Sequence, residues 1–464
     1  MSTHKSDTNG TKADYRIAPG SPWAGAWKIA GGIGVVCLAI AAFGYTVDAT
    51  RFAFSYLFGY FVSLSLALGS LFFVLVLHIT KAGWGVTVRR IAEFFMRPII
   101  VFVVLAIPLV LMMPRLFPWI GAKATHAETS HVEHAAGAPE HPGLMAEKKA
   151  SPLADARGAA EHEPVAMRDL PVAEPKVMEN AEEGAEAKIV THKRPFLNVG
   201  FFLARLVFYL AVWVWLTHRY FRWSNTQDST KAHAITAAAQ DFAPVALILF
   251  AVSVTFFGFD WLLSLDATWY STMFGVYVFA QCALFQMATL IVVVLLLRRS
   301  GLLGNAVNVE HFHDMGKLLF GWIVFWSYIA FAQFFLTWYS NIPDEVAFFH
   351  KRWDDNGGTW QGVSLVLVVL HFFVPFWFLM SRNTKRRLPL LAAGAICIIA
   401  MHVVDVYWVI LPNFGPLSPN VFDFACLFGV LGVYLAAVLR LMTSHSLVAV
   451  GDPRLPRALE FENA

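Results

Sequence analysis

Four ionisable side chains stand inside stretches otherwise suited to hydrocarbon, and they are the residues that could do chemistry. Asp260 lies in "VTFFGFDWLLSLDATW" (254–269), within an apolar run that begins near Pro244. His402 and Asp405 share "MHVVDVYW", and a spacing of three places them on one helix face. His371 stands in a further apolar run. Charged groups are costly in a bilayer, and where they persist they mark ion and proton pathways by default. Carboxylates and imidazoles are the side chains best suited to passing protons near neutral pH.

Placed by helical rise, Asp405 falls about 9 Å and His402 about 13 Å below the outer end of their helix, with His371 about 18 Å from the outer end of its own. Tyr277, Gln281 and Gln333 fall in the same outer third, with Arg205 within reach of it, as supporting polar groups or candidates for lining a site there. At the opposite end stand His313, Asp314 and Lys317 in "HFHDMGK", with His78, Glu93, Asp241 and His311. The set reads as a ladder: an inner charged mouth, a central histidine, and an outer cluster of Asp260, His402 and Asp405.

Each member also has a purely structural reading. Asp260 could cap its helix or pair with Arg205. Asp405 could bond to His402 and lock two helices. His371 could be a satisfied core histidine, and "HFHD" an ordinary N-terminal cap with Asp314 on the helix dipole. His371 and His402 could hold one bis-histidine haem, but the flanking small residues that would seat a porphyrin are missing.

The elements that must position these groups are membrane helices. The chain of 464 residues is 57% hydrophobic and only 14% charged, with a mean hydropathy of +0.57, a composition of polytopic membrane proteins and not of soluble domains. Ten runs are long enough to cross a bilayer core of about 20 residues. They fall at roughly 28–47, 54–79, 97–118, 196–217, 243–264, 272–297, 315–340, 359–380, 388–411 and 421–442. Continuous apolarity over such lengths argues against strands. The fold class is therefore all-α.

Lys and Arg gather in the loops on one side, including Lys28, Lys81, Arg89, Arg90, Arg97, Arg219, Arg298 and Lys385, and the opposite short loops offer little beyond Arg51, Lys351 and Arg352. The bias puts both termini in the cytoplasm. The chain then divides into a cytoplasmic tail (1–27), three helices (28–119), a polar outer loop (120–195), seven helices (196–442) and a second cytoplasmic tail (443–464). The first 28 residues are polar and carry no cleavable-signal pattern.

Residues 121–195 carry thirteen Asp or Glu against nine Lys or Arg, with almost no aromatic residue, so this stretch lacks the apolar surface to fold alone. Its six histidines (His126, His131, His134, His141, His162, His192) repeat no metal-ligand spacing, which favours a tether or a strap lying on partner proteins over a metal site. The four cysteines, Cys37, Cys282, Cys397 and Cys426, form no CxxC pair, so the chain shows no iron–sulfur, zinc or c-type haem site. No Gly-rich phosphate loop is present. A net charge of +3 is too small to imply nucleic acid. "FGFDW" and "VVDVYW", four spans apart, each place an Asp before a Trp near an outer end. They hint at two parallel four-helix units, spans 2–5 and 6–9, with spans 1 and 10 outside them.

"FDWLLSLDATWYSTMFGVY", "HFHDMGKLLFGWIVFWSYIAFAQFFLTWYSNIPDE" and "MHVVDVYW" resemble the NrfD/PsrC-like membrane subunits of bacterial alternative complex III, and among them the second such subunit, the ActF type. The resemblance is strong over about 200–415, loose over the first three helices, and absent from the 120–195 loop and the tails. It implies ten helices as two four-helix bundles plus two peripheral helices, in a bacterial plasma membrane. It implies a complex that oxidises quinol and passes electrons to a cytochrome c or an oxidase. The expected partners are a second NrfD-like subunit, an iron–sulfur subunit, multihaem and monohaem cytochrome c subunits and a terminal oxidase. Haem c and iron–sulfur clusters are then expected in those partners and none in this chain, whose role would be assembly and proton translocation. The carried-over proton-pathway residues are Asp260, His371, His402 and Asp405, with His313, Asp314 and Lys317 at the inner end.

Two other functions fit the same features. A quinol-binding anchor of a molybdopterin oxidoreductase of the polysulfide reductase kind shares the fold and differs in its partner. A proton-coupled secondary transporter would use His402 and Asp405, and predicts spans interrupted near their centres, for which Pro108 and Pro375 are the mid-span candidates.

Overall fold

The computed structural model describes residues 15–121, 188–353 and 357–462. Every regular element among them is helical. Among the described residues, ten helices are long and apolar enough to cross a membrane: Pro22–Val47, Ala49–Ile79, Val86–Leu111, Val199–Thr230, His233–Leu265, Phe274–Arg299, Val309–Ser340, Gln361–Met380, Leu388–Asn413 and Val421–Ser444. They are spans 1 to 10 below. The protein is an all-α polytopic membrane protein. The chain divides into two compact units, 1–118 with 198–464, and 119–197. All ten spans belong to the first. Of the second, residues 119–121 and 188–197 are described, with a helix at 188–193; the histidines expected to tether or strap partners, His192 apart, lie outside the described residues.

An even number of spans returns the chain to its starting side, and the Leu447 amide donates to the Tyr15 carbonyl at 2.8 Å. That face is called the terminal side here, and its opposite the far side. Spans 2–5 pack as one ring of four helices and spans 6–9 as another; spans 2 and 5 of the first ring lie against span 6 of the second. Spans 1 and 10 pack on each other and on span 2, outside both rings. The two-bundle arrangement expected from the paired Asp–Trp signatures is the one observed.

Span 2 is the hub. Nearly all its residues are buried, Ser55, Ser63, Ser65 and Ser70 included. Their hydroxyls donate to carbonyls three or four residues back, which is how a hydroxyl is tolerated inside a helical bundle. Close approach is set by glycine: a Cβ on Gly69 would sit 2.1 Å from the Cys282 carbonyl oxygen of span 6, so only a residue without one lets the two bundles meet there.

The helices run further than hydropathy predicts. Span 3 starts at Val86, not near 97, and takes Arg89, Arg90 and Glu93 inside the fold. These charges are not loop residues because they neutralise one another and neighbours: Arg89 pairs with Glu93 and Asp452, and Arg90 with Glu93 and Asp228. Span 7 starts at Val309, capped by Asn308, which forms a capping box with His311. "HFHD" is thus already helix, and its expected capping role belongs to Asn308.

Candidate functional site

Two buried carboxylates, one per bundle, meet different fates. Asp260, on span 5, accepts both prongs of Arg205 from span 4, Nε to Oδ2 at 2.8 Å and the terminal nitrogen to Oδ1 at 2.7 Å. The Tyr209 hydroxyl adds a third bond at 2.7 Å. Arg205 and Tyr209 are four apart and share a face of span 4. A bidentate guanidinium with a phenol leaves the carboxylate well satisfied, which is the geometry of a helix-to-helix fastener.

Asp405, on span 9, has no Lys or Arg paired with it among the described residues. It is fully buried, and three neutral donors converge there. The Tyr277 hydroxyl donates to Oδ1, Gln281 Nε2 donates to Oδ2 at 2.8 Å, and Trp326 Nε1 donates to Oδ2 at 3.0 Å. Tyr277 and Gln281 lie one turn apart on span 6, and Trp326 comes from span 7. His371 brings Nδ1 to 3.9 Å from Oδ2, beyond hydrogen-bond length. The expected bond from Asp405 to His402 is replaced by these donors.

His371 is wholly buried, and neither ring nitrogen has a hydrogen-bond partner among the described residues. Its ring packs on Trp326, centres 4.0 Å apart. The backbone around it, Leu367–Phe373, is wound as a π-helix, with the Val374 amide bonded to the Val369 carbonyl. Pro375 follows, and its missing N–H removes the α-helical partner of the His371 carbonyl. π-helical turns inside α-helices occur often at functional sites. An imidazole buried with both nitrogens unpaired is the kind of exception that asks for a reason.

His402 lies one turn toward the terminal side on span 9. Its Nε2 is 2.9 Å from Ser65 Oγ, and its ring stacks on Phe285 at 4.1 Å. Ser65 Oγ also lies within hydrogen-bond distance of the Val62 carbonyl, so this hydroxyl joins His402 to the backbone of span 2.

No family model and no characterised protein matches this chain.

Beside Asp405 lies a cleft of about 880 Å³ between spans 7 and 8. The two spans pack along Leu367–Met380 and diverge over Gln361–Val366, toward the far side. The helix Pro343–Trp353 roofs the opening with Val346, Phe349 and Arg352. Phe331, Trp338, Leu365 and Phe373 line the cleft and are 62%, 63%, 53% and 48% exposed, so it opens sideways, where lipid chains would lie. Its inner wall includes Tyr277 and Trp326, both bonded to Asp405. Gln333 lines it too, accepting from Ser271 at 3.3 Å.

The roof is fixed by charge. The buried Arg352 guanidinium donates to the carbonyls of Trp408 (3.1 Å), Phe348 (2.7 Å) and Val409 (2.8 Å). Burial pulls its pKa down to about 9, so it stays charged at neutral pH. Lys351 Nζ lies 2.8 Å from Asp266. Burial pushes the Asp266 carboxyl up, but Lys351 more than offsets this and holds it below the usual range.

The ladder expected from sequence thus separates into parts. His371, Asp405, Tyr277 and Gln281 come together, with His402 a turn away. Asp260 and Arg205 form their own pair in the other bundle. His313, Asp314 and Lys317 sit at the terminal end of span 7, where Lys317 pairs with Asp314. Asp314 and Trp326 are about 18 Å apart along that helix. Trp326 was hidden in the sequence among aromatic packing residues, and nothing local distinguishes it. Tyr209 could have been found from its i,i+4 spacing to Arg205.

Proposed function

We propose that the chain is a membrane subunit of a respiratory oxidoreductase of the alternative complex III kind, and that it handles quinol itself, in addition to the assembly and proton-translocation role that the resemblance implies. The observation that carries the reading is the sideways-opening apolar cleft whose inner wall leads by two hydrogen bonds to a buried carboxylate held by neutral donors. A quinol has an apolar tail that belongs in lipid and an aromatic diol head that must lose two protons on oxidation. A cleft open to lipid admits the tail, aromatic walls hold the head, and Asp405 with His371 offers a proton-accepting pair. In this reading the far side is the outer face, and electrons leave there to iron–sulfur and c-type haem centres of partner subunits. Asp260 fastens spans 4 and 5, and the proton role rests with the second bundle.

The test is made on the complex isolated from native membranes. Expected are co-purifying iron–sulfur and c-type cytochrome subunits, and quinol oxidation lowered on the order of a hundredfold by Asp405→Asn, as for loss of a general base. A chain that purifies alone, or a complex whose turnover ignores both Asp405→Asn and His371→Leu, would remove the reading. A molybdopterin subunit in place of the cytochromes would reassign the complex and leave the quinol site as described.

A further inference from the structure

We infer that Tyr277, and not Asp405 itself, is the group that meets the quinol head, and that its hydroxyl relays the quinol proton to Asp405. The inference rests on the quinol reading above. Asp405 is wholly buried and is not on the cleft wall. Three side chains donate to it, and two of these, Tyr277 and Trp326, border the cleft. An indole N–H donates and has no lone pair with which to accept a proton in exchange. A phenol hydroxyl does both. Its one hydrogen points at Asp405 Oδ1; of the two lone pairs on its oxygen one faces the Trp326 indole, and the other is left to accept. Among the polar side chains around the cleft, Tyr277 is therefore the one that can take a proton on one side and release another to Asp405.

The step balances without an oxidant. The quinol O–H bond breaks, its electron pair stays on the quinol oxygen, and the proton joins the Tyr277 oxygen. The proton already on Tyr277 passes to Asp405 Oδ1. The products are a quinolate anion in the cleft and a neutral carboxylic acid at Asp405, with Tyr277 unchanged. Trp326 covers His371 and holds the second carboxylate oxygen, so the acid formed stays walled from the cleft.

The test uses the assembled complex and a short-chain quinol. Binding is read by fluorescence quenching, and proton arrival by the infrared C=O band of a protonated carboxyl. In Tyr277→Phe, binding is expected to stay within about threefold while turnover falls at least about tenfold and the band disappears, as it does in Asp405→Asn. The double variant is expected to be no slower than Asp405→Asn alone, because members of one relay are not additive. Retained turnover with the band intact in Tyr277→Phe, or two losses that multiply, overturns the relay. Should Tyr277→Phe fail to assemble, fluorotyrosine at 277 keeps the ring and makes the phenol more acidic; an unshifted pH profile of turnover then counts equally against it. If the unaltered complex does not bind the quinol, the quinol reading falls and the relay with it.

Discussion

Trp326 and His371 pack ring against ring, their centres 4.0 Å apart, with the indole on the cleft wall and the imidazole sealed behind it. The same indole donates to Asp405. One side chain therefore both covers the unpaired histidine and anchors the carboxylate beside it.

Removing that cover should expose His371. In Trp326→Ala a small imidazole-directed reagent added from the bilayer side is expected to modify His371, while the unaltered protein is protected and Trp326→Phe stays largely protected. Peptide mass spectrometry reads the outcome. Equal labelling of His371 in all three proteins would show that the indole is not a barrier.

The Arg205–Asp260 pair should behave as a fastener. Arg205→Leu leaves an uncompensated buried carboxylate and is expected to cost about 3–5 kcal/mol, seen as a lower Tm in detergent. Arg205→Leu with Asp260→Leu removes both charges and should recover most of that loss. A double variant as unstable as the single one would contradict the assignment.

Gly69 should be irreplaceable at the joint between the bundles. Gly69→Ala places a methyl 2.1 Å from the Cys282 carbonyl oxygen, and the backbone shift it forces is expected to cost about 1–3 kcal/mol. Gly83→Ala, where the added methyl meets nothing within 4 Å, is the control. Matching thermal melts for the two variants would mean that spans 2 and 6 can part freely.

The roof of the cleft should loosen in acid. The Asp266 carboxyl is depressed in the folded protein by Lys351. Its contribution is then complete above the ordinary Asp value of about 3.9 and is lost as pH falls below that toward the folded value. Proteolysis of the Pro343–Trp353 segment is expected to accelerate over that window in the unaltered protein. Asp266→Asn should be cut faster at neutral pH and lose the acid dependence, and an unchanged acid response in Asp266→Asn would assign it to another group.

The order and number of spans were legible because length and apolarity are local. The starts of spans 3 and 7 were not. Arg89, Arg90 and Glu93 read as loop charges until Asp228 and Asp452, far along the chain, are seen to neutralise them. Asn308 precedes the motif that drew attention as a cap. Among the site residues, Asp260, His371, His402 and Asp405 stood out because hydrocarbon makes each an anomaly, whereas Trp326, one aromatic among many on span 7, does not.

By itself the amino-acid order determined that this protein is a ten-span helical membrane protein with both ends on one side, and which acidic and imidazole groups are stranded in apolar surroundings. Only the tertiary structure decided what those groups do. "FGFDW" and "VVDVYW" look alike locally, yet Asp260 receives a guanidinium from the neighbouring span and Asp405 receives a phenol, an amide and an indole from positions 128, 124 and 79 residues away. A charge in a low-dielectric interior takes its character from whatever dipoles and cations lie within a few ångströms. Which ones lie there is set by helix packing across the chain, which no local pattern encodes.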